Sequence, residues 1–261
     1  MKYAIKNLEL IEEKDAVISI TQRELFSSFG VYESIKVING KMEYIEDHLE
    51  RLFESARILK LDHSFKADSV ITSLKRLLEI NRDKKASLKL QLIGGKKPSL
   101  LAFTTELPGY PLEYYTQGVK VITYSGERIF PRAKSNCLLL NYMAAREASL
   151  SNALDAVLVD RDGFALEGSR SNLFALKGNT IITSEENVLY GVTRKRTLEI
   201  AEKLNLTVKF RKIALSDMQQ CLFDEVFITS TSMGAIPVRF IDEIQIGESF
   251  PKTNLINMEL K

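Results

Sequence analysis

The chain has 261 residues, 27% of them charged, and a formal net charge of +2. That length allows one large core or two modest ones, and so small and scattered a positive excess argues against nucleic acid or an anionic membrane as the main partner. Two cysteines, Cys137 and Cys221, cannot build a disulfide scaffold, and two histidines, His48 and His63, supply few metal ligands or triad bases, so chemistry here rests on lysine, carboxylates or a cofactor.

The opening residues, MKYAIKNLELIEEKD, carry no apolar signal-peptide core and no segment is long and apolar enough for a membrane span, which with the cysteine count predicts a cytoplasmic protein. The stretches AVISI and FGVYESIKVI read as strands, and Asn39-Gly40 is a hairpin signal from which KMEYI returns. Asp47 is expected to cap the helix HLERLFESARILKL, with Leu49, Leu52, Phe53, Ala56 and Leu59 on one face. A second helix over roughly 66–80 turns Ala67, Val70, Ile71, Leu74, Leu77 and Leu78 inward. Strands SLKLQLIG and SLLAFTTE flank the turn Gly94-Gly95-Lys96-Lys97-Pro98. These elements form a small N-terminal α/β domain over 1–106, followed by a Pro-, Gly- and Tyr-rich linker over 107–118.

A larger domain is expected over 119–261. It opens with the strand VKVITY and reaches Lys134 where a mostly core-facing helix, 138–150, is about to begin. Strands DAVLVD, FALEGSRSNLFAL and TIIT follow, then the helix VTRKRTLEIAEKLNL and the extended TVKFRKIAL. Ser216 opens a short helix, DEVFIT is a strand, STSMGAIP a small-residue loop and RFIDEIQIG a hairpin. There is no internal repeat and no regular βαβ rhythm, so the class is α+β (mixed α/β) in two layers.

Four stretches of this second half carry possible chemistry. An amine walled by apolar residues, as Lys134 could be, is disfavoured as a cation and can form an imine with a carbonyl; a surface lysine before a helix cap is the plainer alternative. Glu167 interrupts an apolar strand beside Gly168 and, if buried, needs a cationic partner such as a protonated pyridine nitrogen; an exposed edge carboxylate fits the same letters. In LYGVTRKR, Gly191 allows a turn after which the amides of Val192 and Thr193 could bind phosphate, although helix capping by Thr193 explains them too. Ser230-Thr231-Ser232 at a strand end, and Arg51 on the first helix, could contact the same anion or could be a polar turn and a solvated arginine.

The ordered set resembles the class IV aminotransferases, the fold-type IV pyridoxal-phosphate enzymes that include branched-chain and D-amino acid aminotransferases and aminodeoxychorismate lyases. The resemblance runs from about Ile20 to Gly247. It rests on Lys134 with Glu147-Ala148, on Glu167-Gly168-Ser169-Arg170-Ser171-Asn172-Leu173-Phe174, and on Leu189-Tyr190-Gly191-Val192-Thr193-Arg194. Asp224 to Thr231 with Pro237-Val238, and Glu46-Asp47-His48-Leu49-Glu50-Arg51-Leu52, complete it. It implies the two-domain fold of that family, a homodimer, and pyridoxal 5'-phosphate held as an imine (Schiff base) on Lys134. It further implies that Lys134 shuttles the proton and that Glu167 pairs with the pyridinium nitrogen. Arg51, Val192, Thr193 and Thr231 would hold the phosphate, Leu189 would pack on the ring, and Tyr32 would lie at the substrate mouth.

The implied activity is transfer of an amino group between an amino acid and a 2-oxo acid, branched-chain-like. The alternatives are an aminodeoxychorismate lyase that releases pyruvate and a non-catalytic relative that binds a phosphate ligand. Glu33, directly after Tyr32, resembles the transaminase branches more than the lyases. The chain departs from the family where the substrate carboxylate is gripped. The Arg-x-His of the D-amino acid branch is replaced by Gly94-Gly95-Lys96-Lys97, and the arginine that some branched-chain enzymes place in the preceding strand is missing, which leaves Lys89, Lys96 or Lys97 to substitute.

Overall fold

In GVYESIKVI, alternate residues are buried as a half-buried strand requires. The computed structural model, which describes Lys2 to Leu260, places this strand in the first of two compact units. One unit comprises Met1–Pro108 with Arg132–Cys137, the other Gly109–Pro131 with Leu138–Lys261. The boundary expected at 106 thus falls at Pro108, and the segment bearing Lys134, expected with the second half, clusters with the first.

The first unit contains β1 (Tyr3–Lys6), β2 (Glu9–Glu12), α1 (Arg23–Phe26), β3 (Gly30–Ile38), β4 (Lys41–Met42), α2 (Ile45–Ile58), α3 (Ala67–Asn81), β5 (Lys85–Ile93) and β6 (Ser99–Thr105). Its sheet runs β2-β1-β6-β5-β3-β4. Val31, Ile35 and Val37 from β3 share a core with Leu49, Leu52 and Ala56 of α2 and Val70, Leu74 and Leu77 of α3, each larger aliphatic side chain contributing about 1.5–3 kcal/mol by leaving water. Phe53, Leu59, Ala67 and Ile71, expected on the same faces, pack at its margin, partly buried.

Two local expectations differ from the structure. AVISI is not a strand: Val17 and Ile20 are exposed, and the edge of the sheet is built instead by the β1–β2 hairpin, whose turn is set by Asn7 and Leu8 at positive φ. Two four-residue strands around a turn with no glycine leave little pattern to read. The helix begins at Ile45 after a left-handed Tyr44, so Asp47 lies within its first turn and is not its cap.

The second unit contains α4 (Leu112–Gln117), β7 (Val119–Ser125), α5 (Leu139–Leu150), β8 (Asp155–Val159), β9 (Phe164–Gly168), β10 (Asn172–Lys177), β11 (Thr180–Thr183), α6 (Val192–Lys203), β12 (Thr207–Phe210), β13 (Ile213–Ala214), α7 (Leu215–Gln219), β14 (Glu225–Ser230), β15 (Gly234–Ile241), β16 (Ile244–Gln245) and α8 (Pro251–Glu259). Strands β10-β14-β15-β7-β8-β9 neighbour one another in that order, and the pair Asn172↔Glu167 closes the path back to β10. On β10, Leu173 and Ala175 join one core while Phe174 and Leu176 join another with Ile200 of α6 and Ile256 of α8. Phe174 stands opposite Phe227 with ring centroids 4.9 Å apart, a cross-strand pair contributing about 0.5–1.5 kcal/mol beyond its burial.

FALEGSRSNLFAL is two strands, not one. The chain turns at 169–171 because buried Asp155 accepts hydrogen bonds from the Ser169 amide and hydroxyl and from the Ser171 hydroxyl. A Cβ at Gly168 would lie 2.5 Å from Asp155 Oδ2, so only glycine permits the turn. The loop expected over 230–237 is only 231–233. Pro237 sits inside β15, opposite Phe227 and just before that strand's parallel pairing with β7 begins at Val238. Helix α5 is not core-facing: Leu139, Tyr142 and Leu150 are exposed, and Ala144 and Ala148 alone among its residues are buried. The expected linker carries α4, and Tyr115 within it donates to the carbonyl of Met233.

Candidate functional site

The first group of site residues is built on β3 and α2. Inward-pointing positions of β3 are aliphatic except for Glu33, which is fully buried. Opposite it, α2 presents His48, Arg51 and Ser55 on one stripe, at helical spacings of three and four. Arg51 donates from Nε to Glu33 Oε1 and from Nη2 to Oε2, both at 2.7 Å, a fork-to-fork pairing that fixes the guanidinium plane. Nδ1 of His48 lies 2.7 Å from Glu33 Oε2. Burial pulls Glu33 toward protonation, but the charge and hydrogen bonds of Arg51, with help from His48, outweigh it and hold the carboxyl at about 2. Burial lowers the His48 pKa, with Arg51 and Lys134 adding to the shift against the pull of Glu33. The imidazole is therefore neutral, its Nδ1–H donating to Glu33, while buried Nε2 has no partner among the described residues.

The same elements hold Lys134. The Tyr32 amide donates to the Lys134 carbonyl at 3.0 Å and the Asn136 amide to the Gly30 carbonyl at 2.9 Å, with Ser135 opposite Val31. A Cβ at Gly30 would sit 2.6 Å from Asn136 Nδ2, so the glycine lets this segment approach. The Ser55 hydroxyl accepts the Lys134 amide at 3.0 Å. Lys134 Nζ stands 4.6 Å from the centroid of the Tyr32 ring, a cation–π distance. Tyr32 and Lys134, two of the residues singled out from sequence, are thus brought together, while Arg51 lies on the helix that also supplies Ser55 to the Lys134 amide.

The second group gathers at the ends of β9, β10 and β14. Glu167, Asn172 and Thr229 stand opposite one another in a row. Glu167 is buried; its Oε1 receives Arg128 Nε at 2.7 Å and its Oε2 the Leu189 amide at 2.9 Å. Asn172 Nδ2 donates to the Leu189 carbonyl at 2.7 Å. Gly191 then enters α6 with φ −64; its role is closeness, because a Cβ there would meet Asn172 Oδ1 at 2.1 Å. Gly191 is the N-cap, so Val192 and Thr193 occupy the first helical positions, and no side chain among the described residues caps them. Capping by Thr193 is thereby replaced by an uncapped helix end that favours negative charge. Thr231 lies in the β14–β15 turn, two residues beyond Thr229, whose buried hydroxyl has no partner among the described residues.

Sequence reasoning missed Arg128, Asn172, Ser55 and the clamp role of Glu33. Asn172 is visible inside its motif, but nothing in the letters marks its contact with the Leu189 carbonyl. Glu33 could have been found as a carboxylate on the buried phase of an alternating strand. Arg128 lies in an irregular stretch with no period to mark it.

The chain matches the family model "Amino-transferase class IV" over residues 30–241. It is 32% identical over 258 residues to D-alanine aminotransferase of Bacillus licheniformis, covering 94% of this chain and 90% of that one. It is 27% identical over 265 residues to a putative branched-chain-amino-acid aminotransferase of Methanocaldococcus jannaschii, covering 93% and 90%. Its fold matches a hypothetical aminotransferase from Mycobacterium tuberculosis, solved in a PLP-bound form, with a TM-score of 0.88 at 20% identity over 99% of this chain and 97% of the other. The chain belongs to the class IV aminotransferases.

Proposed function

We propose that the protein uses pyridoxal 5'-phosphate to transfer an amino group between an amino acid and a 2-oxo acid. The observation that carries this reading is the supported amine: Lys134 is clipped by backbone hydrogen bonds to β3 and by Ser55, with its Nζ over Tyr32. The remaining donors fit the cofactor's other demands. Glu167, oriented by Arg128 and the Leu189 amide, suits a pyridinium nitrogen. The uncapped start of α6, cradled where Gly191 meets Asn172, suits a phosphate together with the Thr193 hydroxyl, Thr231 and Arg51.

When bound, pyridoxal phosphate supplies an aldehyde that takes up an amino group and a ring that accepts the Cα electron pair. In this reading the side-chain amine of Lys134 would hold the cofactor. With a substrate bound, the same amine would accept the proton held at the substrate Cα and return it during the transfer. Glu167 would keep the ring nitrogen protonated, and Leu189 would pack against the ring. Glu33 acts through Arg51 by fixing the guanidinium plane for the phosphate. Tyr32 borders the substrate.

Transamination is favoured over lyase chemistry by Glu33 beside Tyr32 and by the names of the relatives, which include both D-alanine and branched-chain aminotransferases. We place the enzyme in the cytoplasm on account of its two free cysteines; no helix among the described residues is long and apolar enough to cross a membrane. We also propose a homodimer, which the exposed Leu139, Tyr142 and Met143 of α5 support. The test is a half-reaction screen: the cofactor-loaded protein should lose its visible band on addition of single L- or D-amino acids. Release of pyruvate from aminodeoxychorismate without an oxo acid acceptor would replace the transaminase reading with the lyase one.

A further inference from the structure

The sheet of the first unit has a second face, and a lysine stands in it without a counter-charge among the described residues. Ser34 is directly opposite Lys89, and Tyr32 is opposite Gln91. Tyr32, Ser34, Lys89 and Gln91 are the half-buried members of their strands, alternating with residues of the helix-covered core. Lys134 is the cross-strand neighbour of Tyr32 on the other side. Lys134, Tyr32 and Gln91 therefore form one row across three adjacent strands, and Ser34 with Lys89 forms the next. Two strand spacings and two residues separate the backbones of Lys134 and Lys89 by about 12 Å.

Lys89 Nζ donates to the Ser34 hydroxyl at 2.7 Å, and that hydroxyl also lies 3.2 Å from Ser87 Oγ. Burial and the nearby charge of Lys134 lower the Lys89 pKa, and no carboxylate acts on it. A half-buried ammonium held against a neutral hydroxyl, with another cation nearby, is arranged to receive an anion. Lys96 and Lys97, the other two lysines of this region, are exposed in the turn after β5 and have no such support.

We propose that Lys89, steadied by Ser34, is the residue of this chain that grips a carboxylate of the amino acid and 2-oxo acid substrates. The assignment rests on the aminotransferase reading above, and it supplies the group that the sequence departures left open. The carboxylate is either the one every amino acid carries on Cα or the distal one of a dicarboxylic substrate; both present the same chemistry to Lys89.

The experiment is calorimetric titration of the pyridoxal-phosphate-loaded protein with propionate, glutarate and uncharged propionamide. Wild type should bind the carboxylates and not the amide. Lys89→Met should weaken carboxylate binding about 10- to 100-fold, the size expected for losing one charged hydrogen bond, while the visible cofactor band stays intact; Lys89→Gln should do the same and Lys89→Arg should restore most of the affinity. In steady state Lys89→Met should raise KM for the amino acid more than it lowers kcat. Equal loss for propionate and glutarate assigns the Cα carboxylate, and loss confined to glutarate assigns the distal one. Wild-type affinity for both in Lys89→Met, or a loaded wild type that binds neither, overturns the proposal. A protein that never acquires the visible band overturns the aminotransferase reading and this one with it.

Discussion

Glu33 and Glu167 are both buried and both face an arginine at 2.7 Å, yet they are held in unlike ways. Glu33 lies mid-strand in β3, paired along its whole length with β5, and His48 and Arg51 reach it from one helix at a spacing of three residues. Glu167 sits where β9 touches β10 through the single pair Asn172↔Glu167, and its partners come from irregular chain, Arg128 after β7 and Leu189 before α6. Regular elements on both sides make the first carboxylate part of the scaffold. Loop partners at a strand end make the second a carboxylate aimed by its surroundings, the usual condition of a functional group on a rigid frame.

The largest effect expected lies outside both pairs and calibrates them. Lys134→Ala should lower transamination by at least about 10³-fold, the scale of a lost proton shuttle, with the thermal midpoint unchanged. Glu33→Gln should then appear mainly as lost stability, about 3 kcal/mol in denaturant titration, because it breaks a buried, hydrogen-bonded ion pair. That variant also sharpens the comparison through pH. The Glu33 carboxyl is depressed from 4.5 to about 2 in the folded protein, so its contribution is complete above pH 4.5 and fades as pH falls toward 2. Glu33→Gln should flatten the acid limb of the stability curve in that window; an unchanged limb would remove Glu33 from the scaffold.

Glu167→Gln should behave in the opposite sense, lowering kcat about 100-fold while cofactor-loaded protein keeps most of its stability. Equal stability losses in the two glutamine variants would erase the distinction drawn here. The smallest effect is expected from Ser55→Ala, which removes the hydroxyl that accepts the Lys134 amide. It should cost about 1 kcal/mol of stability and shift activity several-fold by loosening the lysine segment.

Much of this was legible in the letters because periodicity marks regular elements. The inward residues of α3 and the hairpin at Asn39-Gly40 follow from spacing alone, and the structure carries both. The motif order exposed Lys134, Glu167, Gly191 and Thr193 as candidates before any contact was known. What escaped depends on long-range packing. The turn after Gly168 is dictated by Asp155, a residue of a neighbouring strand. Arg128 meets its carboxylate 39 positions away, and α8 has no amphipathic pattern to read, only Pro251 at its start and the Glu225 carboxylate that accepts the Lys252 and Thr253 amides. The letters do not give the exposure of α5, because an apolar run looks the same whether a core or another surface covers it.

The reading stands or falls with the amine of Lys134. Purified protein incubated with pyridoxal 5'-phosphate, reduced with borohydride and digested should yield one phosphopyridoxyl-labelled peptide, carrying the label at Lys134. A label on any other lysine, Lys89 included, or no stable label at all, would contradict the account.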